Sequence, residues 1–442
     1  MVETDETIAP THVPGRRWRI AWLLGIGILV NYFDRVNLSV SHNALIGAFG
    51  ISDVAFGYLS SAYNWTYAAC QLPIGVILDK FGVRRVGRVG TLLWSAASFA
   101  AAATPNLGGF FGARLLLGVG EAPAFPANAK AIGLWFPARE RSFATALSDA
   151  AAKFASAIGV PLIGIVLIHA GWRWSFAFTG AISFAYFVYF SRVYRDPDDD
   201  PKLTEIERRY IEYRNSPQGA REHDEEKASS LGQLIAQRKV LGLALGMGAY
   251  NYVFYLLLYW LPTYLSSTLH IDLLHSFAYT SVPWIFATAT DLAIGGWLVD
   301  FLVKRGWNAS AVRRVVLIGG TAFGLGILGA ARAHNATQAL VWISISIGGL
   351  AAAAPVAWSL PSLIAVRGNV GKVGGIINFC GQISGITASI LTGYLVSAFH
   401  SYAWAFAVAG AYLAVGIAGY MFLLGKIELP QRPAGTQPAG AA

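Results

Sequence analysis

The sequence predicts an all-α integral membrane protein with twelve transmembrane helices in two six-helix bundles, and three observations support this prediction. The 442 residues are 55% hydrophobic and only 13% charged, whereas about a quarter of the residues in a soluble chain are charged. Apolar runs of roughly 18 or more residues, the length that crosses a bilayer, recur from one end of the chain to the other. A glycine–aspartate pattern also recurs half a chain apart, which indicates that one six-helix unit is repeated in parallel.

One long polar stretch separates the predicted spans into two sets of six. The spans are about 18–41, 54–78, 83–104, 107–131, 142–168, 172–194, 238–266, 275–299, 312–333, 337–364, 372–397 and 401–425. The chain therefore divides into an N-terminal bundle (1–194), a central loop (195–237) and a C-terminal bundle (238–442). The mixed charge of the central loop and its helix-permissive part, 203–213, indicate a surface amphipathic segment.

Basic residues collect on one side of this topology and set its expected orientation. That side has Arg16, Arg17, Arg19, Lys80, Arg84, Arg85, Arg88, Arg139, Arg141, Lys304, Arg305, Arg313, Arg314, Arg367, Lys372, Lys426 and Arg432, and the other side has Arg173 and Arg332. By the positive-inside rule, both termini and the central loop are expected in the cytoplasm. The net charge of +9 is therefore attributed to loops and not to nucleic-acid binding. Residues 1–15 are polar and partly acidic, so no cleavable signal peptide is expected.

Four charged residues inside predicted spans are the main candidates for a functional site. Asp34 and Arg35 lie in the first span, where a central charge costs roughly 2.5–3.5 kcal/mol unless it is paired, hydrated or functional. They point about 100° apart on a helix, so each needs a partner elsewhere. Arg114 and Glu121 are seven residues apart and share one face of the fourth span, with Arg114 at about the depth of Asp34 and Glu121 near mid-membrane. Pro123 is expected, with the following Pro126, to loosen the helix beside Glu121.

These four charges allow two interpretations. Two bases and two acids can hold an anion and titrate, which would make the group a functional site. Alternatively, Asp34 is only an ion-pair partner of Arg114, or the four residues form a static latch between helices.

Further polar residues lie in the fifth, seventh, eighth and eleventh spans. Asp149 and Lys153 are four residues apart on the fifth span, and they form either an internal ion pair or a second cationic site that would suit a dianionic substrate. Asp291 is the one acid expected inside a span of the second half. Neutral hydrogen-bonding residues there would contact the hydroxyl groups of a substrate or simply join helices; they are Asn251, Tyr255, Tyr259, Asn378 and Gln382.

Several motifs resemble those of known transporter families. Gly75-x-x-x-Asp79 with Arg84 and Arg85 resembles the loop signature of the major facilitator superfamily, and Gly296-x-x-x-Asp300 repeats part of it in the second half; two coincidental loops are the alternative. Gly159-x-Pro161-x-x-Gly164 resembles the packing motif of the same superfamily. More specific matches are Asn31 to Ser39, Arg114 to Asn128, Trp135 to Arg141 and Gly374 to Phe379. They resemble the anion:cation symporter family, and most closely its bacterial galactonate, glucarate and hexuronate proton symporters.

The resemblance implies a major facilitator fold and a role for each matched residue. Asp34 and Glu121 would be the proton-coupling acids. The substrate-binding residues would be Arg35, Arg114, Tyr32, Tyr67 and Asn378, to which we add Gln382 and Lys153 from their positions. Tyr32 and Tyr67 could instead be packing residues. The gating residues would be Gly75, Asp79, Arg84 and Asp300. Lys153 and Asp291 depart from the family pattern.

The expected function is that of a monomeric secondary transporter in the cytoplasmic membrane of a bacterium. It would import an organic anion, such as a hexonate, hexarate or hexuronate, together with protons by alternating access, without a cofactor. A uniporter or exchanger, or a sodium-coupled carrier of a tartrate- or phthalate-like acid, is the alternative. A membrane-embedded enzyme would need a nucleophile or metal constellation, and the sequence has no such motif. Gly371-Lys372 is followed by Val373, so it is not a nucleotide-binding loop.

Overall fold

The computed structural model describes residues 13–427 except 138–139, 216–229, 270, 272 and 366–368. The first half contains α1 (Arg16–Val40), α2 (His42–Phe49), α3 (Asp53–Ala103), α4 (Leu107–Glu121), α5 (Ala124–Trp135), α6 (Arg141–Ala170) and α7 (Trp172–Val193). The connection contains α8 (Glu205–Asn215) and α9 (Leu231–Ile235). The basic residues Arg139, Arg367 and Arg432 and the charged run 222–227 lie outside the described residues.

The second half begins with α10 (Arg238–Thr268) and α11 (Leu273–Thr290), followed by a π-helical segment, Asp291–Leu298, and by α12 (Val299–Lys304). It continues with α13 (Ala309–Gly324), α14 (Ile327–Ala330), α15 (Ala336–Ser359), α16 (Pro361–Ile364), α17 (Val370–Phe399) and α18 (Ala403–Ala418), which a second π-helical segment, Gly419–Leu424, extends. Both halves of the predicted pattern are therefore helical.

Polar caps fix where several of these helices begin. The side chains of Ser52, Asn106, Asn308 and Asn335 each accept a hydrogen bond from a backbone N–H three residues later. Each cap satisfies one of the N–H groups that a helix leaves unpaired in its first turn. Because a short polar residue comes directly before an apolar run at these positions, the helix starts can be read from the sequence.

Nine helices of the described part are long and apolar enough to cross a membrane, or ten if the bent pair formed by α2 and the beginning of α3 counts as one span. The other predicted spans lie on helices with breaks. Spans 54–78 and 83–104 are the two limbs of α3, which meet at Gly82 with φ 75°, a conformation that favours glycine. Span 107–131 corresponds to α4 and α5, which are separated at Ala122 and Pro123. The predicted break beside Glu121 is confirmed.

The two halves meet along three pairs of helices: the first limb of α3 against α17, α6 against α11, and α1 against α10. Within the N-terminal half, α1 packs on α6 and α7, and α3 packs on α4. Within the C-terminal half, α10 packs on α17 and α18 and α13 packs on α15. This arrangement brings α1, α4 and α10 to the middle of the molecule, where the candidate charged residues lie.

The two ends of the molecule are packed differently. At one end, a Cβ on Gly57 would lie 2.7 Å from the carbonyl oxygen of Ser389, and a Cβ on Gly393 would lie 2.5 Å from that of Asp53. At the other end no further atom lies within 4 Å of a Cβ built on Gly75 or Gly374. We call these the closed end and the open end. The helices α3 and α17 are in close backbone contact at the closed end, and they make no such contact at Gly75 or Gly374 at the open end.

The connecting segment is fastened to the open end of α1. The Glu207 carboxylate of α8 accepts hydrogen bonds from the backbone N–H groups of Arg16 and Arg17, at 3.1 and 3.0 Å, and from Arg17 Nη1 at 3.0 Å. The Arg16 guanidinium also pairs with Asp200 at 2.7 Å. A carboxylate at a helix N-terminus is favourable because it meets unpaired N–H groups and the positive end of the helix dipole. The segment before residue 216 therefore belongs structurally to the N-terminal half.

Candidate functional site

A buried ion pair lies at the centre of the candidate site. Arg35 Nε of α1 donates a hydrogen bond of 3.0 Å to Glu121 Oε2 at the last residue of α4, and both side chains are almost fully buried. Arg35 lies in the second half of α1, and Glu121 is the last residue of α4. Separating two such charges inside an apolar bundle would leave each without compensation. The stability of the pair therefore depends on whether another charged group approaches it.

Tyrosine rings surround the guanidinium of Arg35. Its central carbon lies 4.5 Å from the ring centroid of Tyr32, 4.6 Å from that of Tyr63 and 5.5 Å from that of Tyr67. A cation over an aromatic face gains about 0.5–2 kcal/mol, with the larger values in dry surroundings. These rings therefore stabilise Arg35 in its position beside Glu121.

Arg114 is the second buried base, and its guanidinium is only partly used. Its Nη1 atom donates to the backbone carbonyl of Asp34 at 3.3 Å. Among the described residues, Arg114 Nε and Nη2 have no hydrogen-bond partner, and neither does Glu121 Oε1. Buried polar atoms without partners are rare, and the free donors of a guanidinium suit a carboxylate. The site therefore offers donors to an anion and one carboxylate oxygen to a proton.

Asp34 lies in separate surroundings. Its carboxylate accepts hydrogen bonds from Ser98 Oγ of α3 at 2.7 Å and from Ser183 Oγ of α7 at 2.8 Å. Arg114 contacts the backbone of Asp34 and not its carboxylate. The ion pair between Asp34 and Arg114 considered as an alternative is therefore not among the ion pairs of the described residues, and the four charges do not form one closed latch.

A chain of neutral hydrogen bonds crosses from the C-terminal half to the N-terminal half beside the ion pair. The Tyr255 hydroxyl donates to Gln382 Oε1 at 3.3 Å, and Gln382 Nε2 donates to Asn378 Oδ1 at 3.3 Å. Asn378 Nδ2 then donates to Gln71 Oε1 of α3 at 2.9 Å, and Gln71 Nε2 donates to the carbonyl of Ala122 at 3.4 Å. The predicted residues Asn378 and Gln382 thus lie together, and they reach the break in α4.

Sequence reasoning missed two members of this site, Tyr63 and Gln71. Both lie on the face of α3 that carries Tyr67, at a spacing of four residues in each direction, which is one helical turn. That periodicity is the signal that could have found them. Of the other polar residues expected on α10, Tyr259 stacks on Tyr255 with a centroid distance of 5.9 Å, while Asn251 bonds to the carbonyl of Met247 in its own helix.

Lys153 lies between two carboxylates. Its Nζ atom is 2.8 Å from Asp149 Oδ2 on α6 and also forms an ion pair with Asp291 Oδ2, the first residue of the π-helical segment. Lys153 and Asp291 are buried, and Asp149 is partly exposed. The internal ion pair considered from the sequence is present, and it extends to the acid in the second half.

The residues expected to act in gating lie towards the open end. Asp79 pairs with Lys130 of α5 at 2.7 Å and has an exposed side chain, as does Asp300 of α12. Arg84, at the start of the second limb of α3, is partly buried, and Gly75 faces open space.

In the packing motif of α6, a Cβ on Gly164 would collide with the ring of Phe277 on α11. No group of three or more His, Cys, Asp or Glu in the described part could hold a metal ion.

Comparisons with known proteins agree with this architecture. The profile of the Major Facilitator Superfamily matches residues 24–312. The uncharacterized transporter YybO of Bacillus subtilis is 38% identical over 417 residues, which cover 94% of this chain and 96% of the relative. GarP of Escherichia coli (strain K12), a probable galactarate/D-glucarate transporter, is 29% identical over 426 residues, with 93% of this chain and 95% of the relative covered.

Solved structures share the fold at low sequence identity. A crystal structure of the D-xylose-proton symporter superimposes with a TM-score of 0.71 at 16% identity, covering 93% of this chain and 99% of the other. A bacterial homolog of the human lysosomal transporter Spinster, in an inward-facing and unoccupied conformation, gives a TM-score of 0.71 at 16% identity, covering 92% and 97%. This chain belongs to the Major Facilitator Superfamily, and it is a multi-pass membrane transporter and not an enzyme.

Proposed function

We propose that the protein imports a sugar acid together with protons across the cytoplasmic membrane of a bacterium. The observation that carries this proposal is the buried Arg35–Glu121 pair beside the unused donors of Arg114. An anion can enter such a site only if charge is rebalanced, because the site already contains acids that compete for the same bases.

The arrangement supports a direct link between anion binding and protonation. A substrate carboxylate that binds Arg114 would compete with Glu121 for Arg35, which lies 3.0 Å from the Glu121 carboxylate. Once Arg35 turns to the substrate, Glu121 remains buried without its cation and takes up a proton. Each event then favours the other, which is the thermodynamic linkage that symport needs. Asp34, held by serine hydroxyls, is the second proton-coupling acid of the proposal.

The neutral side of the site supports a hydroxylated substrate. Tyr255, Gln382, Asn378 and Gln71 present amide and hydroxyl groups opposite the two arginines. A hexonate or hexarate carries a carboxylate for the arginines and several hydroxyls for these groups. The names of similar transporters, among them a probable galactarate/D-glucarate transporter and a D-galactonate transporter, point to the same class of substrate.

The predicted orientation also assigns the described conformation. The open end carries Arg84 and the start of α1, which the distribution of basic residues assigns to the cytoplasm. With that orientation the described conformation faces inward, and Gly75, Asp79, Arg84 and Asp300 lie where the halves must approach each other to close it.

Uptake by the purified protein in liposomes tests the proposal. Labelled hexonates, hexarates, hexuronates, tartrate and phthalate are offered under an imposed pH gradient, an imposed sodium gradient or neither. Accumulation of a sugar acid that requires the pH gradient is the expected result. Accumulation driven only by sodium, equilibration without accumulation, or a preference for phthalate-like acids would each contradict it.

A further inference from the structure

The cluster of Asp149, Lys153 and Asp291 forms a second buried charged site, separate from the Arg35–Glu121 pair. Lys153 and Asp149 belong to α6 in the N-terminal half, whereas Asp291 belongs to the C-terminal half. Lys153 is 1% exposed and Asp291 is 0% exposed. The contact between Lys153 and Asp291 therefore crosses the boundary along which the two halves move in this superfamily's fold.

Few other groups can compensate a charge on Asp291. Its charged neighbours are Lys153 and Asp149, and the other titratable group near the cluster is the Tyr250 hydroxyl of α10. Helix α15, which packs against the π-helical segment, contains no titratable residue. The ionised form of Asp291 is thus stabilised by Lys153 and by no other cation among its described neighbours.

The two contacts of Lys153 respond differently to a movement of the halves. Asp149 is four residues before Lys153 on the same helix, so this pair stays together whatever the conformation. The contact with Asp291 changes as soon as α6 moves relative to the π-helical segment. If the halves separate here, Lys153 keeps a partner and Asp291 does not. A buried carboxylate without a cation then takes a proton.

We infer that Asp291 is a further proton-binding residue, located in the C-terminal half, which gives up its proton when Lys153 makes contact and takes one up when Lys153 leaves. The O–H bond of the Asp291 carboxyl breaks as Lys153 arrives, the proton passes to water by way of the neighbouring, partly exposed Asp149 carboxylate, and the step reverses when the contact opens. The inference rests on the proposed proton-coupled function. In the described conformation Lys153 is in contact with Asp291, which is the state in which the proton has left.

The local backbone fits such a role. Asp291 begins an eight-residue π-helical segment, Asp291–Leu298, and π-helical turns are rare and often lie at functional sites. Within this segment, Gly295 packs against the backbone of α15, because a Cβ there would lie 2.7 Å from the carbonyl of Ala352. The segment is thus held on one side by α15 and reaches Lys153 on the other, where the charge contact is made.

Infrared difference spectroscopy of the purified protein in liposomes, titrated with pH, tests the inference without requiring transport. Wild type, Asp291→Asn, Glu121→Gln and Asp34→Asn are compared, with Asp198→Asn, which alters an exposed side chain, as the matched control. The expected result is a protonated-carboxyl band that disappears only in Asp291→Asn. In Lys153→Gln, where the compensating cation is gone, that band should persist to higher pH than in the wild type. Titrations of Asp291→Asn and wild type that coincide would overturn the inference.

The number of protons transported per substrate molecule is the second measurement. Asp291→Asn should lower the ratio by one proton while the Asp198→Asn control keeps the wild-type ratio, and an unchanged ratio would contradict the role in coupling. If Asp291→Asn alone does not fold, Asp291→Asn combined with Lys153→Gln removes both charges, leaves the partly exposed Asp149, and is measured in the same way. A wild type without proton-driven uptake would refute the proposed function, while the infrared titration would still decide whether Asp291 binds a proton.

Discussion

Arg35 and Arg114 are both buried bases, yet they have different neighbours. Arg35 is held by a carboxylate and three tyrosine rings, so it can exchange partners without leaving its position. Arg114 is anchored through one nitrogen to the backbone of Asp34 and has two unused nitrogens. In the proposed mechanism, Arg114 binds the incoming carboxylate and Arg35 transmits that binding to Glu121.

Glu121→Gln should abolish accumulation driven by a pH gradient and retain exchange of substrate across the membrane. Glutamine preserves the shape of the protonated acid and cannot titrate, so binding remains possible while coupling is lost. Uptake into liposomes under an imposed pH gradient, compared with counterflow of labelled substrate, measures both properties. Asp198→Asn, with its exposed side chain, should behave as the wild type. Glu121→Gln protein that still concentrates substrate would exclude Glu121 as the coupling acid.

Arg114→Lys should weaken substrate binding by about 10- to 150-fold, which corresponds to roughly 1.5–3 kcal/mol for the loss of one charge-assisted hydrogen bond. Lysine keeps the charge and cannot present two parallel donors to a carboxylate. Thermal-shift or calorimetric titration with the preferred sugar acid gives the Kd. The matched control is Arg173→Lys, because Arg173 bonds to the carbonyl of Thr104 away from the site. Equal affinities of wild type and Arg114→Lys would remove Arg114 from the binding site.

The charged residues of the site could be predicted from the sequence, and the neutral ones only in part. Asp34, Arg35, Arg114 and Glu121 are conspicuous because a charge inside an apolar span is costly, and helical geometry gives their depth. Serines carry no such signal, since Ser98 and many other serines of the spans could equally bond to their own helix. Which hydroxyl meets Asp34 depends on how helices rotate against one another, and that rotation is set by packing along the whole length.

At the scale of elements, the helix break at Pro123 could be predicted from the sequence, whereas the π-helical segments could not. Pro123 lacks an N–H group and therefore interrupts the helical hydrogen bonding after Ala122, whose N–H still donates to the carbonyl of Gly118. The segment Asp291–Leu298 is as apolar as its neighbours. Its wider turns, with hydrogen bonds between residues five apart, cannot be recognised from a sequence pattern of 3.6 residues per turn. The close link between α8 and α1 was also not predictable, because the central loop has many charges of both signs and only the fold selects Glu207.

Glu207→Gln should reduce the free energy of unfolding by about 1.5–3 kcal/mol, because the carboxylate makes charge-assisted hydrogen bonds in a buried place. Glu205→Gln is the matched control on the same helix. Its partner is Arg209 and both side chains are largely exposed, so the change should cost about 0–1 kcal/mol. Thermal unfolding of the detergent-purified variants provides the comparison. Identical unfolding midpoints for the two variants would indicate that α8 does not stabilise the N-terminal half.

At the scale of the whole molecule, the described conformation is closed at one end, as one of the two states of the proposed alternating access requires. The parallel repeat and the two bundles were predicted from the sequence, because apolar runs recur along the whole chain and the glycine–aspartate pattern recurs half a chain apart. The choice of conformation was not, since the same sequence must be compatible with both states. Small residues line α3 and α17 at both ends, and Gly57 and Gly393 are in close contact while Gly75 and Gly374 are not. In the proposed alternating access, the small residues at the open end would let α3 and α17 approach each other.

Opposite movements of the two ends are the last prediction. Spin labels at positions 80 and 371 report the distance between α3 and α17 at the open end, and labels at 52 and 400 report it at the closed end. Because the halves rock about the site between these ends, the first distance should fall when the second rises. Glu121→Gln mimics the protonated carboxyl and should shift the populations relative to the wild type, as should substrate at low pH. Pulsed electron–electron double resonance on the protein in liposomes measures the distance in each labelled pair. Distances that change in the same direction at both ends, or at one end alone, would contradict alternation about a central site.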